Sequence, residues 1–347
     1  MAIQAKPVSK NNSRILGSRA LLLPGLFFGI GLLALCLLWS ITLGAADITP
    51  QVVYNALIHF DSSNIQQVII QTVRLPRVLS GVTVGAALAV AGALMQGLTR
   101  NPLADSGILG INSGASLAVV LAVFLLGNPP LSTYALFAFV GAGIAAGLVY
   151  FIAAMGRGGV TPLKLTLAGV ILTAFISSIT TAILIHDQET LDKIRFWTAG
   201  SLSGRDMDLF LQTLPYIVIG LIGALLISRQ ITTINLGDDV AKGLGQNTLW
   251  VKGIAAIVVV LLAGGSVALA GPIGFVGLIV PHIIRFLVGT DYRWVVPYSA
   301  ILGGLLVTIA DVGARLVIRP LELPVGVVMA LIGAPFFIWL ARWKVKR

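Results

Sequence analysis

Ten stretches of this chain are so apolar, and so nearly free of charge, that they call for a solvent other than water. They fall at residues 20–46, 78–99, 106–126, 134–156, 165–185, 209–228, 253–270, 272–287, 294–310 and 323–341. Hydrocarbon offers backbone amides no water to bond with, so a spanning segment has to be a helix or part of a closed barrel. None of these runs alternates with a period of two, which selects helices, and about 20 apolar residues of helix cross ~30 Å of hydrocarbon. Composition agrees. The chain is 57% hydrophobic and 10% charged, with a mean hydropathy of +0.98, whereas a soluble domain carries about 25% charged residues. Two of the divisions rest on turn chemistry, at Gly127-Asn128-Pro129-Pro130 and at Gly271-Pro272, where proline lacks an amide donor and glycine permits reversal.

The charges fix an orientation. Ten spans put both termini on one side. That side holds 16 of the 23 Lys and Arg residues, from Lys6, Lys10, Arg14 and Arg19 of the 19-residue tail to the four beyond Leu340, against four acidic residues. The other side holds the remaining seven basic residues and nine acidic ones. This is the positive-inside asymmetry of a cytoplasmic-membrane protein, with both termini in the cytoplasm. The net charge of +10 is thus a topology signal and gives no reason to expect nucleic-acid binding. The first run is long and lacks a small-residue cleavage site, so it reads as a retained helix after a basic tail at 1–19. Residues 20–347 then form a single transmembrane domain.

Several chemistries are missing. No Gly-Lys dipeptide occurs anywhere, so the chain has no phosphate loop of the form GxxxxGK[ST] and is not expected to hydrolyse ATP by that route. It has no GxSxG turn, no His/Cys metal cluster and no paired carboxylates within an apolar run, and no catalytic residue, metal or cofactor is expected. Cys36 reads as a small apolar side chain in a helix. Asp311, with Arg315 one turn later, reads as the exposed end of a helix. Gln96, Asn112, Ser113 and His282 read as packing or interhelical hydrogen-bonding residues. Glycines four apart, Gly25/Gly29, Gly81/Gly85, Gly110/Gly114 and Gly143/Gly147, are expected to let helices approach closely.

One polar run interrupts the oil, RQITTINLGDDVAKGLGQNTLWVK at 229–252. Within it Gly237 permits a turn, Asp238-Asp239 suit a helix N-terminus, and Lys242 stands near the end of a short helix closed by Gly243 or Gly245. A short amphipathic helix across the cytoplasmic face is the expectation. On pattern alone an ordinary charged loop is the favoured reading, since short capped helices are common between spans.

This run and four other segments together resemble the FecCD-type permeases of ABC importers for iron–siderophore, haem and cobalamin. The segments are RLPRVLSGVTVGAALAVAGALMQGLTRNPLADSGILGINSGA (74–115), FWTAGSL (196–202), INLGDDVAKGLG (234–245), GPIGFVGLIVPHIIR (271–285) and ELPVGVVMALIGAPFFIWL (322–340). The resemblance implies an all-α polytopic fold of about ten transmembrane helices, of the type II, cobalamin-importer-like kind, with inverted repeats. It implies two permease subunits around a central path, two separate ATP-binding cassette subunits beneath, and an extracytoplasmic substrate-binding protein above. A coupling segment at 234–247 is implied, with Leu236, Gly237, Asp238, Asp239, Ala241, Lys242 and Gly245 set against the ATPase. Arg74, Arg77 and Arg315 are implied to dock acidic residues of the binding protein, with Arg319 nearby; the bland reading of each is an interfacial arginine that snorkels. The second and seventh spans run in opposite directions, and each leads into a Pro/Gly-rich turn and a short helix, which fits an inverted repeat. The expected cargo is a ferric siderophore, with haem or cobalamin as neighbours, and no cargo ligand is named. An ion-gradient-driven transporter remains the alternative, and would need an intramembrane carboxylate or a broken-helix ion site; a membrane scaffold is a weaker one.

Overall fold

The structure is a computed structural model and describes residues 19–44, 48–155, 160–318 and 321–345. The basic tail up to residue 18, Arg157 and Arg319 lie outside the described residues. The helices are α1 (Leu22–Thr42), α2 (Pro50–Ile58), α3 (Ile65–Ile69), α4 (Leu75–Thr99), α5 (Ile111–Leu126), α6 (Leu131–Ala154), α7 (Pro162–His186), α8 (Gln188–Thr198), α9 (Met207–Asn235), α10 (Asp238–Gly243), α11 (Thr248–Val259), α12 (Gly265–Ala270), α13 (Val276–Val288), α14 (Tyr292–Leu316) and α15 (Val325–Val345). Among the described residues, seven continuous helices are long and apolar enough to cross a membrane. Three shorter apolar ones, in α5, α13 and α15, complete the ten expected positions.

The centre of the bundle is one 35-residue helix, Ile65–Thr99. It begins earlier than the apolar run predicted, because Asn64 caps it by accepting from the backbone N–H groups of Gln66 and Gln67 and the polar residues of this first turn hide the helix from a hydropathy reading. Between α3 and α4 it widens into a π turn over Ile70–Arg74. Pro76 follows directly, and a proline ring crowds the preceding turn and withholds one i→i−4 donor, which a wider turn accommodates.

Around this core α14, α13 and α9 pack on α4. The close approaches are made by glycines facing each other across two different helices: a Cβ on Gly85 would overlap the Gly303 carbonyl, and one on Gly92 would overlap Gly277. Gly114 and Gly141 meet in the same way between α5 and α6. Of the within-helix pairs expected from sequence, Gly85 and Gly114 do face close neighbours, while Gly147 borders open space. The contacts are heterologous, so the partner glycine lies on another segment and leaves no short-range motif.

The break at Gly271 is deeper than a surface turn. Gly271 has φ +73° and Phe275 φ +69°, and residues 271–275 run without helix before α13 starts beside Gly92 of α4. The 13 residues of α13 span only about 20 Å, so the non-helical segment covers part of the depth. Helix α5, the other short helix that follows a turn, has 16 residues. Two further helices, α2 and α8, have no counterpart among the expected spans, since α2 is short and α8 is polar along half its length.

Candidate functional site

On the side assigned to the cytoplasm, α9 has 29 residues, about 43 Å of helix and so longer than the hydrocarbon is thick. It ends at the polar run, and the chain turns into α10 through Gly237, whose φ of +129° is a backbone state other residues rarely adopt. Gly245, at φ +79°, closes the far end. The Gln246 amide N–H donates to the Ala241 carbonyl at 3.0 Å, and the Gln246 side chain donates to the Gln230 carbonyl of α9 at 3.2 Å. The short helix is therefore tied at both ends.

Its two faces differ. Ala241 is fully buried and Asp238 is half-buried, accepting from Lys252 Nζ of α11 at 2.5 Å with Arg100, the left-handed residue that ends α4, 3.9 Å away. Asp239, Lys242 and Gly245 are exposed. So are Leu236, Val240 and Leu244, spaced four apart, and Leu249 with Trp250 beyond them. Of the seven residues expected in this segment, then, Asp238 and Ala241 anchor it, and Leu236, Asp239, Lys242 and Gly245 face outward around the Gly237 hinge. Sequence reasoning passed over Val240, Leu244, Leu249 and Trp250. The four-residue spacing of apolar side chains inside a polar run was the available signal.

On the opposite side Arg74, Arg77 and Arg315 are gathered within one network, and all three are turned inward, 5–6% exposed. Arg77 donates from Nε and Nη2 to Asp311, at 2.9–3.1 Å, and from Nη1 to Glu322 at 2.7 Å. Arg315 Nε lies 3.1 Å from Asp311 Oδ2, an oxygen that Arg77 Nε also reaches. Its Nη1 donates to the carbonyls of Ser40 and Leu43, and its Nη2 to the Ser40 hydroxyl at 2.7 Å. Arg74 Nη1 donates to the carbonyls of Ile41 and Thr42. The last carbonyls of a helix have no intrahelical donors and carry its negative dipole end, so Arg74 and Arg315 cap α1 while Arg77 joins α4 to α14. This corrects the reading of Asp311 as an exposed helix end: it is 2% exposed, clamped between two guanidiniums. The partner that buries it, Arg77, comes from a segment 234 residues away. Among the described residues no group of three His, Cys, Asp or Glu side chains could hold a metal ion. His282 packs edge-on against Phe286 and Phe336, as a packing residue should.

Residues 32–343 match the FecCD transport family. Over 317 residues the chain is 47% identical to the iron(3+)-hydroxamate import system permease protein FhuB of Bacillus subtilis, spanning 91% of this chain and 82% of that protein. Over 315 residues it is 46% identical to the Fe(3+)-citrate import system permease protein YfmD of the same organism, spanning 91% of each. A solved structure described as an inward-facing conformation of a metal-chelate type ABC transporter superposes with a TM-score of 0.81 at 28% identity, covering 91% of this chain and 98% of that one. The fold and the multi-pass helical organisation are those of a transport permease of ABC importers. This chain belongs to the FecCD transport family.

Proposed function

We propose that this chain is the membrane-spanning subunit through which a ferric siderophore or similar iron chelate enters the bacterial cytoplasm, driven by ATP hydrolysis on two separate cassette subunits. The observation that carries the reading is α10: a short helix pinned to α9, α11 and the end of α4, with an apolar and charged face open to a partner. A tethered helix transmits the displacement of closing ATPases, and a loose loop would absorb it. Relatives that import iron-hydroxamate and iron-citrate support an iron chelate as cargo. The basic excess on the α10 side supports cytoplasmic termini. In proteoliposomes holding the assembled complex, uptake of ⁵⁵Fe-labelled chelate should require ATP and survive collapse of the proton gradient; uptake that instead tracks the gradient would overturn the reading. Asp311 is the buried carboxylate an ion-driven transporter would need, but two arginines hold it, so it is not free to cycle.

Arg74, Arg77 and Arg315 are proposed as the docking socket for the extracytoplasmic binding protein. Glu322, with its side chain 31% exposed against 3% for Asp311, is the anion of this network that an incoming carboxylate can displace. Removing that competitor with Glu322→Gln should tighten binding-protein affinity at low salt by about 3–10-fold, within the range of rim charge effects, as read by surface plasmon resonance. An unchanged or weakened affinity would count against the socket.

A further inference from the structure

Beside the arginine network lies a second cationic site that no docking role accounts for. A cavity of about 420 Å³ opens between the outer end of α6, helix α8, the 199–206 turn and the loop before α15; Tyr134, Lys193, Trp197, Ser203, Arg205 and Glu322 contribute to its wall. Its charges are unevenly matched. Lys193 pairs with Glu189 at 2.6 Å and Glu322 with Arg77 at 2.7 Å. Arg205, only 6% exposed, has no carboxylate partner among the described residues, and its Nε and Nη2 share one acceptor, the Ser201 carbonyl, at 3.3 and 3.2 Å. The adjacent Asp206 spends its carboxylate on the N-terminus of α9, accepting from the Leu209 N–H. Burial lowers the Arg205 pKa to about 10, against the opposing through-space pull of the Asp206 carboxylate, so it is still a cation at neutral pH. The Trp197 indole N–H, in the same wall, likewise has no acceptor among the described residues.

A guanidinium offers five donors, and a buried charge whose donors reach no carboxylate directly is costly. Folding alone gives no return on that cost, since one backbone carbonyl is all that Arg205 binds. A ligand supplying anionic oxygens would satisfy both Arg205 and Trp197. The aromatic and aliphatic remainder of the wall resembles a small-molecule site, an apolar enclosure with few convergent polar groups.

We propose that this cavity binds a carboxylate arm of the incoming ferric chelate at the outer mouth of the path, with Arg205 as its counter-ion and Trp197 as a second donor. The inference rests on the importer reading above and names the chemistry of its cargo. The experiment is equilibrium binding of ⁵⁵Fe-citrate to the full-length chain in lipid nanodiscs, beside the cationic trihydroxamate ferrioxamine B. Arg205→Gln should weaken the citrate complex at least tenfold and leave the melting temperature unchanged or raised, because it deletes a buried charge that bonds one backbone carbonyl and no carboxylate directly. Arg205→Lys should stay within about threefold of the unsubstituted chain. The proposal is overturned if the unsubstituted chain shows no saturable binding of ferric citrate, if it holds ferrioxamine B as tightly, if Arg205→Gln changes citrate affinity less than twofold, or if Arg205→Gln lowers the melting temperature as well as the binding. It is also overturned if Arg205→Gln keeps citrate and loses only the binding protein. ATP-driven uptake by the assembled complex tests the importer reading separately: uptake with intact citrate affinity in Arg205→Gln removes this site alone, while absence of ATP-driven uptake removes the importer reading.

Discussion

Asp311→Ala should lower the stability of this chain by about 3–5 kcal/mol, the usual effect of removing one partner from a buried ion pair. Asp311 touches Arg77 on α4 and Arg315 one turn along α14, both nearly inaccessible. Without it two guanidiniums would face each other across the vacated volume, in a place water enters poorly. Relaxation is limited, because Arg315 is also committed to the end of α1. Asp311→Asn should cost less, since one oxygen acceptor remains between the two arginines. A variant that replaces Asp311, Arg77 and Arg315 together with apolar residues of matching volume should recover much of the loss, since such exchanges are often neutral, though α1 would keep only the Arg74 cap. Thermal unfolding of the detergent-purified chain, with helical circular dichroism as the signal, orders these variants; equal melting temperatures for Asp311→Ala and the unsubstituted chain would show that the network contributes nothing.

That network also marks the limit of what the sequence discloses. The ten spans are legible because lipid imposes a simple rule: every amide is bonded within its own helix, so a run of about 20 apolar residues is almost sufficient information. The same rule hides α2 and α8, which are short and half polar, and it misplaces the start of the central helix because IQQVIIQTVR does not look like oil. Asp311 and Arg315, four apart, are visible as a pair. Their burial depends on Arg77, far away in sequence, so no local pattern distinguishes an exposed helix end from a buried clamp. Arg205 is harder still, since its isolation is a property of everything around it. At the polar run the position of the short helix was readable from Gly237 and Gly245, whose positive φ angles are what glycine supplies. Which residues face outward is written only in the spacing of Leu236, Val240 and Leu244, which extends past both ends of the six-residue helix and so is missed when the helix is read by itself.

Ala241→Pro should abolish substrate-stimulated ATP hydrolysis by the assembled complex, a reduction of tenfold or more. The Ala241 N–H donates to the Gly237 carbonyl at 3.0 Å; proline deletes that bond and forces its ring into a side of α10 that has no room, costing about 3 kcal/mol or more, comparable to all that a six-residue helix can gain. The outward face gives a second, milder lesion. Val240→Asp combined with Leu244→Asp leaves the Gly237 and Gly245 turns intact and makes the exposed apolar surface acidic, so ATPase subunits that rest on that surface should co-purify less well. The anchor gives a third. Lys252→Met removes the partner of Asp238, leaving Arg100 at 3.9 Å as its nearest cation, so the ATPase should still bind while hydrolysis and uptake fall out of proportion. These lesions separate holding the ATPase from transmitting its motion: the face variant should lose both together, the anchor variant only the second. ATPase stimulation by loaded binding protein, measured beside subunit stoichiometry after affinity purification, reads both quantities. Stimulation that is unchanged in Ala241→Pro would remove α10 from the path by which ATP energy reaches the bundle.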